Sequence, residues 1–391
     1  MQDISTMFQT YPIVSMLPEG FENKAQELKA FSRKGDYIKT VLDLILVLLL
    51  WADLGTYGLT SAYLRTMSNF PMSKVALYKR VKASAAFLQW LVVNFCYKSG
   101  YLVPKPDYLE KYRPLVVDAT KSSKPGSNTA DYTLHTMIEL FSLSRVEQHL
   151  TDATTGESMT NFNDLLPNDL VIADRAYGTI KSMRWVEEKR AFYIFRMKAK
   201  AFSLYVQNKK GHFVQFDLTE KLKDWKENKL LEYHLFYRQG SNYYPVRICA
   251  LGKTAKAIEQ GSERIKRSNN GANRTKVTAL QTIYNQYIVV ISDLPQDITT
   301  EQILSLYRQR WQIELVFKRL KSILDFDKLQ TKQDATSNAW FYCKLLTAAI
   351  CENYIQCSSF PPSKDHADEL PTEIIMDGIR SYLHCPVLTD S

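Results

Sequence analysis

Close cysteine pairs are missing from this chain. Its six cysteines (Cys96, Cys249, Cys343, Cys351, Cys357 and Cys385) lie far apart. None has the C-x-x-C spacing of a zinc site, so they read as reduced, mostly buried thiols. Histidine is equally scarce, at six residues, and no two stand at the i, i+4 helical spacing of a metalloprotease, which argues against a histidine-based metal centre. Long apolar runs are absent too. The longest, Leu44 to Trp51, is bounded by Asp43 and Asp53; it falls far short of the roughly 20 residues that cross a bilayer and reads as a buried helix. The polar stretch Met1 to Phe8 lacks the basic-then-apolar order of a secretory signal, so a cytosolic protein is expected.

Positive charge, by contrast, is in excess. The 391 residues carry 50 Lys and Arg against 41 Asp and Glu, a net charge of +9, with 45% hydrophobic residues. Such a chain is globular, has more than one domain, and favours polyanionic partners, either nucleic acid or an anionic membrane surface. Charge does not choose between them, but no amphipathic membrane anchor is evident.

From about Gln26 to Tyr101 the apolar spacing is helical, with Val41, Leu42, Leu44, Ile45 and Leu48 grouped on helical steps. Thr60 to Met67 reads as one helix, Asn69-Phe70-Pro71 as a turn, and Ser73 as the N-cap of the next. A helix-turn-helix over about 58–91 is expected, its second helix carrying Lys74, Lys79, Arg80 and Lys82 for DNA backbone and groove; an ordinary amphipathic helix has the same pattern. Pro104, Pro106 and Pro114 then mark a linker.

Beyond it the texture changes to short buried strands. Leu115-Val116-Val117 is expected to end at Asp118, and Asp169 to Ala173 to end at Asp174, before a helix from about Gly178 to Lys189. In an open sheet, side chains at adjacent strand ends emerge together, exposed enough to bind a hard cation and rigid enough to place it. After the strand Ile288 to Ser292, a long helix is expected from Thr299 or Thr300. On it Tyr307, Arg310, Glu314 and Lys321 follow at steps of three, four and seven, one polar stripe within an arc of roughly 60°. Leu306, Ile313, Phe317, Leu320 and Leu324 make the neighbouring apolar stripe that docks it. An i, i+4 ion pair of Arg310 with Glu314 explains two members of the polar stripe but not the other two.

The segment Tyr307-Arg-Gln-Arg310-Trp311-Gln-Ile-Glu314, continuing to Lys321, resembles the Tyr-Arg-Glu-Lys signature of DDE transposases of the insertion-sequence-four group, with every signature position and spacing matched. Val-Val-Asp118-Ala-Thr is similar to the family's first aspartate, and Ala-Asp174-Arg175-Ala-Tyr177-Gly178 to its second. The resemblance spans roughly Leu115 to Leu324. It implies an α/β fold, a ribonuclease-H-like catalytic core (108–200 and 283–356) with a β-rich basic insertion (201–282), preceded by an all-helical N-terminal DNA-binding domain (1–107) and followed by a C-terminal segment (357–391) suited by position to dimerisation.

The activity implied is cut-and-paste transposition of an insertion sequence: cleavage of the transposon ends through a hairpin intermediate and strand transfer into target DNA. Asp118, Asp174 and Glu314 would hold two Mg²⁺ ions, with Mn²⁺ as substitute. Tyr307, Arg310 and Lys321 would grip phosphates. Trp311 would either stack an extruded base or pack in the core. The basic run containing Arg264, Lys266, Arg267, Arg274 and Lys276 is expected as a flexible loop tracking DNA backbone. The partners implied are the terminal inverted repeats, target DNA and a second copy in a homodimer, with no membrane. A ribonuclease-H-like hydrolytic nuclease shares the acidic triad, and a catalytically silent DNA-binding protein would keep the fold; both stay open at this stage.

Overall fold

The computed structural model describes residues 13–33, 38–67, 71–95, 105–142, 144–198, 201–269 and 278–357. Helices come first: α1 (Phe21–Glu27), α2 (Val41–Leu54), α3 (Tyr57–Met67) and α4 (Lys74–Val93). Next are β1 (Arg113–Ser122), β2 (Tyr132–Glu139), β3 (Arg145–Asp152), β4 (Asp169–Ala173), α5 (Ile180–Glu188) and β5 (Phe192–Arg196). They are followed by β6 (Leu204–Gln207), β7 (Phe213–Phe216), α6 (Leu218–Lys221), β8 (Leu230–Gln239), β9 (Asn242–Gly252), α7 (Ala255–Asn269), α8 (Ala279–Asn285) and β10 (Tyr287–Ser292). Helices α9 (Thr300–Gln309), α10 (Trp311–Leu324) and α11 (Asp334–Cys357) complete the described chain.

All ten strands form one mixed sheet in the order β3-β2-β1-β4-β5-β10-β9-β8-β6-β7. β1, β4 and β5 run parallel, and every other neighbouring pair is antiparallel. The central strands are buried on both faces, so they read as continuous apolar runs while their side chains still alternate. Leu115, Val117, Val171, Ala173, Tyr193 and Phe195 fill one core, together with Met183 and Val186 of α5. Val116, Leu170, Ile172, Ile194 and Val290 point the other way, into a second core closed by α9, α10 and α11. Strands β6 to β9, where a β-rich insertion was expected, continue this same sheet through the β9–β10 ladder.

The second core also takes in the first helices. α2 is buried all round, from Leu44 to Ala52, as its unbroken apolar run requires. It starts at a capping box in which Thr40 Oγ1 accepts the Asp43 N–H at 3.1 Å and Asp43 Oδ2 accepts the Thr40 N–H at 2.8 Å. It stops at Gly55, whose φ of 77° suits a residue without Cβ. α4, capped by Ser73, buries Leu77, Val81, Phe87, Leu88 and Leu91 and packs along α11. Lys74, Lys79 and Lys82 stay exposed, whereas Arg80 donates to the Arg33 carbonyl at 2.9 Å. Asn69 and Phe70, the expected turn between α3 and α4, lie outside the described residues. No described helix is long and apolar enough to cross a membrane, and Cys249, Cys343 and Cys351 are buried.

One expectation is corrected by the helix after β10. It is not continuous. α9 ends at Gln309 and α10 begins at Trp311, with Arg310 between them. The Arg310 N–H donates to the Tyr307 carbonyl at 3.1 Å and the Ile313 N–H to the Arg310 carbonyl at 3.2 Å. These three-residue steps tighten the backbone locally into a 3₁₀ turn.

Candidate active site

The parallel β1–β4 ladder pairs Val117 with Ala173 and stops there, because β4 ends. β1 itself does not end at Asp118, as its sequence suggested. It runs on to Ser122 against β2, with Asp118 opposite Thr136. The ladder's end leaves Asp118 and Asp174 side by side, each one residue past that last pair, at the C-terminal edge of the parallel part of the sheet. Asp118 is in step with Val116, so it faces the core side covered by α9 to α11.

Those helices bring Tyr307 and Arg310 to the two aspartates, and Glu314 to Arg310; Lys321 lies farther along, beside Glu314. Tyr307 is buried, and its hydroxyl donates to Asp174 Oδ1 at 3.5 Å. From the break between α9 and α10, Arg310 donates through Nη1 to Asp118 Oδ2 at 3.2 Å and through Nη2 to Glu314 Oε1 at 2.5 Å. Burial pulls the guanidinium's pKa down, but Tyr307, Glu314, Asp174 and Asp118 outweigh it and hold the group more basic than usual. Asp118 is only 18% exposed, and burial pushes its carboxyl up to about 6. The Ala119 N–H, donating at 2.9 Å, and Arg310 oppose that rise, while Glu157 and Asp174 add to it. Glu314 is 58% exposed. It shares a cleft of about 600 Å³ with Lys321, Phe317, Asp325 and Lys328. Trp311 is 47% exposed, which leaves its ring free of the core. Leu306, Ile313, Phe317, Leu320 and Leu324 are all buried, as the apolar stripe predicts.

On the other side of Asp174 lies a second cavity of about 600 Å³, bordered by Arg175, Arg196, Lys253 and Arg264. Among the described residues no carboxylate forms an ion pair with any of these four. Lys253 has its pKa lowered to about 8 by burial and by the neighbouring Arg196 and Arg175. Arg264, Lys266 and Arg267 belong to α7 rather than to a loop. Ile258, Gly261 and Ile265 fall at helical spacing, and Gly261 sits so close to α8 that a Cβ there would lie 2.2 Å from Asn285 Oδ1. Lys266 and Arg267 point outward, Arg267 toward Glu263 at 3.5 Å. Arg274 and Lys276 lie outside the described residues.

Several contributors carry no motif of their own. Arg196 ends β5, Lys253 follows β9, and half-buried Glu157 lies past the turn after β3. Glu157 is made a weaker acid than usual by burial and by Asp174. Among the described residues, no three Asp, Glu, His or Cys side chains close around a single point. The Arg310 guanidinium takes the carboxylates of Asp118 and Glu314 instead.

Residues 109–350 match the family described as transposase DDE domain. Over 362 residues the chain is 26% identical to the transposase for insertion sequence element IS421 of Escherichia coli, covering 88% of this chain and 93% of the relative. It is 24% identical over 201 residues to the transposase for insertion sequence element IS231F of Bacillus thuringiensis subsp. israelensis, covering 48% of this chain and 42% of that one. The matched region holds β1, β4, both helices flanking Arg310 and every residue of the acidic site. This chain belongs to the DDE-domain transposases.

Proposed function

We propose that this protein is the cut-and-paste transposase of an insertion sequence, cleaving the element's ends and joining them to target DNA with Asp118, Asp174 and Glu314 as its acidic triad. One observation carries the reading: two aspartates each stand one residue past the last pair of a parallel ladder, and Tyr307 and Arg310 reach them from a separate helical segment. The strand order β3-β2-β1-β4-β5, with only β1, β4 and β5 parallel, supports a ribonuclease-H-like core.

The donor set suits Mg²⁺, with Mn²⁺ as substitute: hard carboxylate oxygens, and an Asp118 whose ionisation is held back chiefly by burial and further by Glu157 and Asp174, a cost that a bound divalent cation would offset. Asp118, Asp174 and Glu314 would hold two such ions. When bound, the ions activate an oxygen nucleophile and stabilise the leaving 3′-oxygen. Tyr307, Arg310 and Lys321 hold the phosphates around the cut, and the cations Arg175, Arg196, Lys253 and Arg264 line the approach. Cleavage frees a 3′-hydroxyl, which attacks the opposite strand to give a hairpin and, once that is reopened, attacks target DNA. Trp311, exposed at the start of α10, would stack a base unstacked by the hairpin. The helices before residue 107 contact the inverted repeats, and two copies pair the ends as a homodimer.

The test incubates purified protein and Mg²⁺ with linear DNA carrying the inverted repeats that flank its gene, beside Glu314→Gln. Nicked, hairpinned and joined products that vanish in the variant are expected. Cleavage with no hairpin or joined product would point to a hydrolytic nuclease, and binding without cleavage in Mg²⁺ or Mn²⁺ to a silent DNA-binding protein.

A further inference from the structure

The Tyr177 side chain is fully buried, yet its hydroxyl has no hydrogen-bond partner. Leaving such a group unpaired costs about 1–3 kcal/mol, which is why nearly all buried hydroxyls in folded proteins are satisfied. The surroundings are not apolar on every side. Glu157, Asp118 and Asp174 all lie within electrostatic reach of the phenol, Glu157 most strongly.

The backbone fixes the ring there. After Asp174 the chain turns sharply: the Tyr177 N–H donates to the Asp174 carbonyl at 3.1 Å, and the Gly178 N–H to the Arg175 carbonyl at 3.3 Å. A Cβ on Gly178 would lie 2.6 Å from the Arg196 carbonyl oxygen, so the turn is pressed against β5. The ring belongs to the core on the α5 side of the sheet, which also holds Met159, Phe162 and Met183. A residue gripped this firmly, with its one polar atom buried, unpaired and within electrostatic reach of three carboxylates, is suited to orient another group.

We propose that Tyr177 is a positioning residue of the acidic centre: in the metal-loaded protein its hydroxyl donates to Glu157 and holds that carboxylate toward Asp118 and Asp174 as a fourth acidic group. This rests on the reading of Asp118 and Asp174 as metal ligands. Outer partners of metal ligands are worth about 10–100-fold in affinity or activity, and a buried tyrosine hydroxyl is a donor of suitable reach.

The experiment measures Mn²⁺ binding by electron paramagnetic resonance and calorimetry, together with melting in chelator, for wild type, Tyr177→Phe, Glu157→Gln and the double variant. The expected result is that Tyr177→Phe melts in chelator at or above the wild-type temperature, because it deletes only an unpaired hydroxyl, and binds Mn²⁺ about 10-fold more weakly. Glu157→Gln is also weaker, and adding Tyr177→Phe to it changes nothing further. The Mg²⁺ concentration for half-maximal end cleavage should rise in parallel. Wild-type Mn²⁺ affinity in Tyr177→Phe overturns the proposal, as do independent, multiplying losses in the double variant. Should Tyr177→Phe melt low, Glu157→Gln decides alone, unchanged affinity overturning the proposal. If wild type binds no Mn²⁺, the metal-ligand reading itself falls, and this one with it; normal wild-type binding with unchanged variants overturns this one only.

Discussion

Replacing Asp118 by asparagine should make the metal-free protein more stable while abolishing its chemistry. Folding takes the Asp118 carboxyl from an ordinary value of 3.8 to about 6, chiefly by burial. A group whose folded pKa is raised favours the folded state fully below its unfolded value, and that contribution is lost as pH climbs through the folded value. The window is therefore about pH 4 to 6. At 1.36 kcal/mol per unit, the wild-type chain gives up about 3 kcal/mol across it. The asparagine amide does not ionise and keeps an oxygen for the Ala119 N–H. It does set an amide N–H₂ against Arg310, so the gain above pH 6 is at most about 3 kcal/mol. Urea denaturation in chelator from pH 4 to 8 should show the two proteins together near pH 4, diverging to pH 6 and parallel above it, with the variant more stable. Mg²⁺ should then stabilise wild type and leave the variant almost unmoved. A less stable Asp118→Asn at pH 8 in chelator, or a gap independent of pH, would refute the reasoning.

Two further outcomes follow from groups outside the triad. The double variant Lys253→Gln, Arg264→Gln should weaken binding to end-sequence DNA and lower the slope of log K against log salt by about 1.8, since each lost phosphate contact is worth about 0.9; an unchanged slope would remove the cavity beside Asp174 from the DNA path. Asp293, at the end of β10, accepts the Tyr193 N–H at 2.8 Å and is pushed up to about 8 by burial. The wild-type fold therefore loses stability as pH rises from about 4 through 8, and Asp293→Asn, which keeps the acceptor, should be more stable at pH 8 by at most about 5 kcal/mol, about 4 units at 1.36 kcal/mol each. Matching melting curves at pH 8 would show that Asp293 ionises without cost.

What the sequence made legible is what local pattern governs. Val116-Val117-Asp118 and Ile172-Ala173-Asp174 place carboxylates where the parallel ladder ends, because a parallel strand buried on both faces must read as an unbroken apolar run, although β1 itself runs on past Asp118. The buried stripe from Leu306 to Leu324 is likewise a direct product of helical periodicity. The break at Arg310 left no such trace: a single 3₁₀ turn shifts the helix phase too little to disturb the spacing of apolar residues on either side. Arg264 to Asn269 read as loop because Asn269-Asn270-Gly271 dominates the local composition, although Ile258, Gly261 and Ile265 already carry a helical face. The joining of β6 to β9 to the sheet that carries Asp118 and Asp174 depends on pairing between distant residues, which no local pattern encodes, and Glu157, after β3, comes near Asp174 through the pairing of β3, β2, β1 and β4, which is likewise invisible to local pattern.

The break at Arg310 ties these levels together. Its backbone leaves α-helical hydrogen bonding for one turn, and its guanidinium there takes Asp118 and Glu314 at once. Two of the three carboxylates of the proposed triad are thus neutralised by a side chain that Tyr307, Glu314, Asp174 and Asp118 together hold more basic than usual. In the proposed chemistry a divalent cation and the guanidinium compete for Asp118, so arginine must give up that carboxylate as the metal takes it. A guanidinium released beside a metal-bound phosphodiester has a second, bidentate anion within reach. Arrival of DNA therefore offsets the lost ion pair, and metal and DNA should bind cooperatively. Arg310→Lys, a point charge without the planar fork, should keep metal binding in the absence of DNA yet lose most of the gain in Mn²⁺ affinity that end-sequence DNA confers on wild type. Equal enhancement by DNA in both proteins would show that Arg310 merely balances charge.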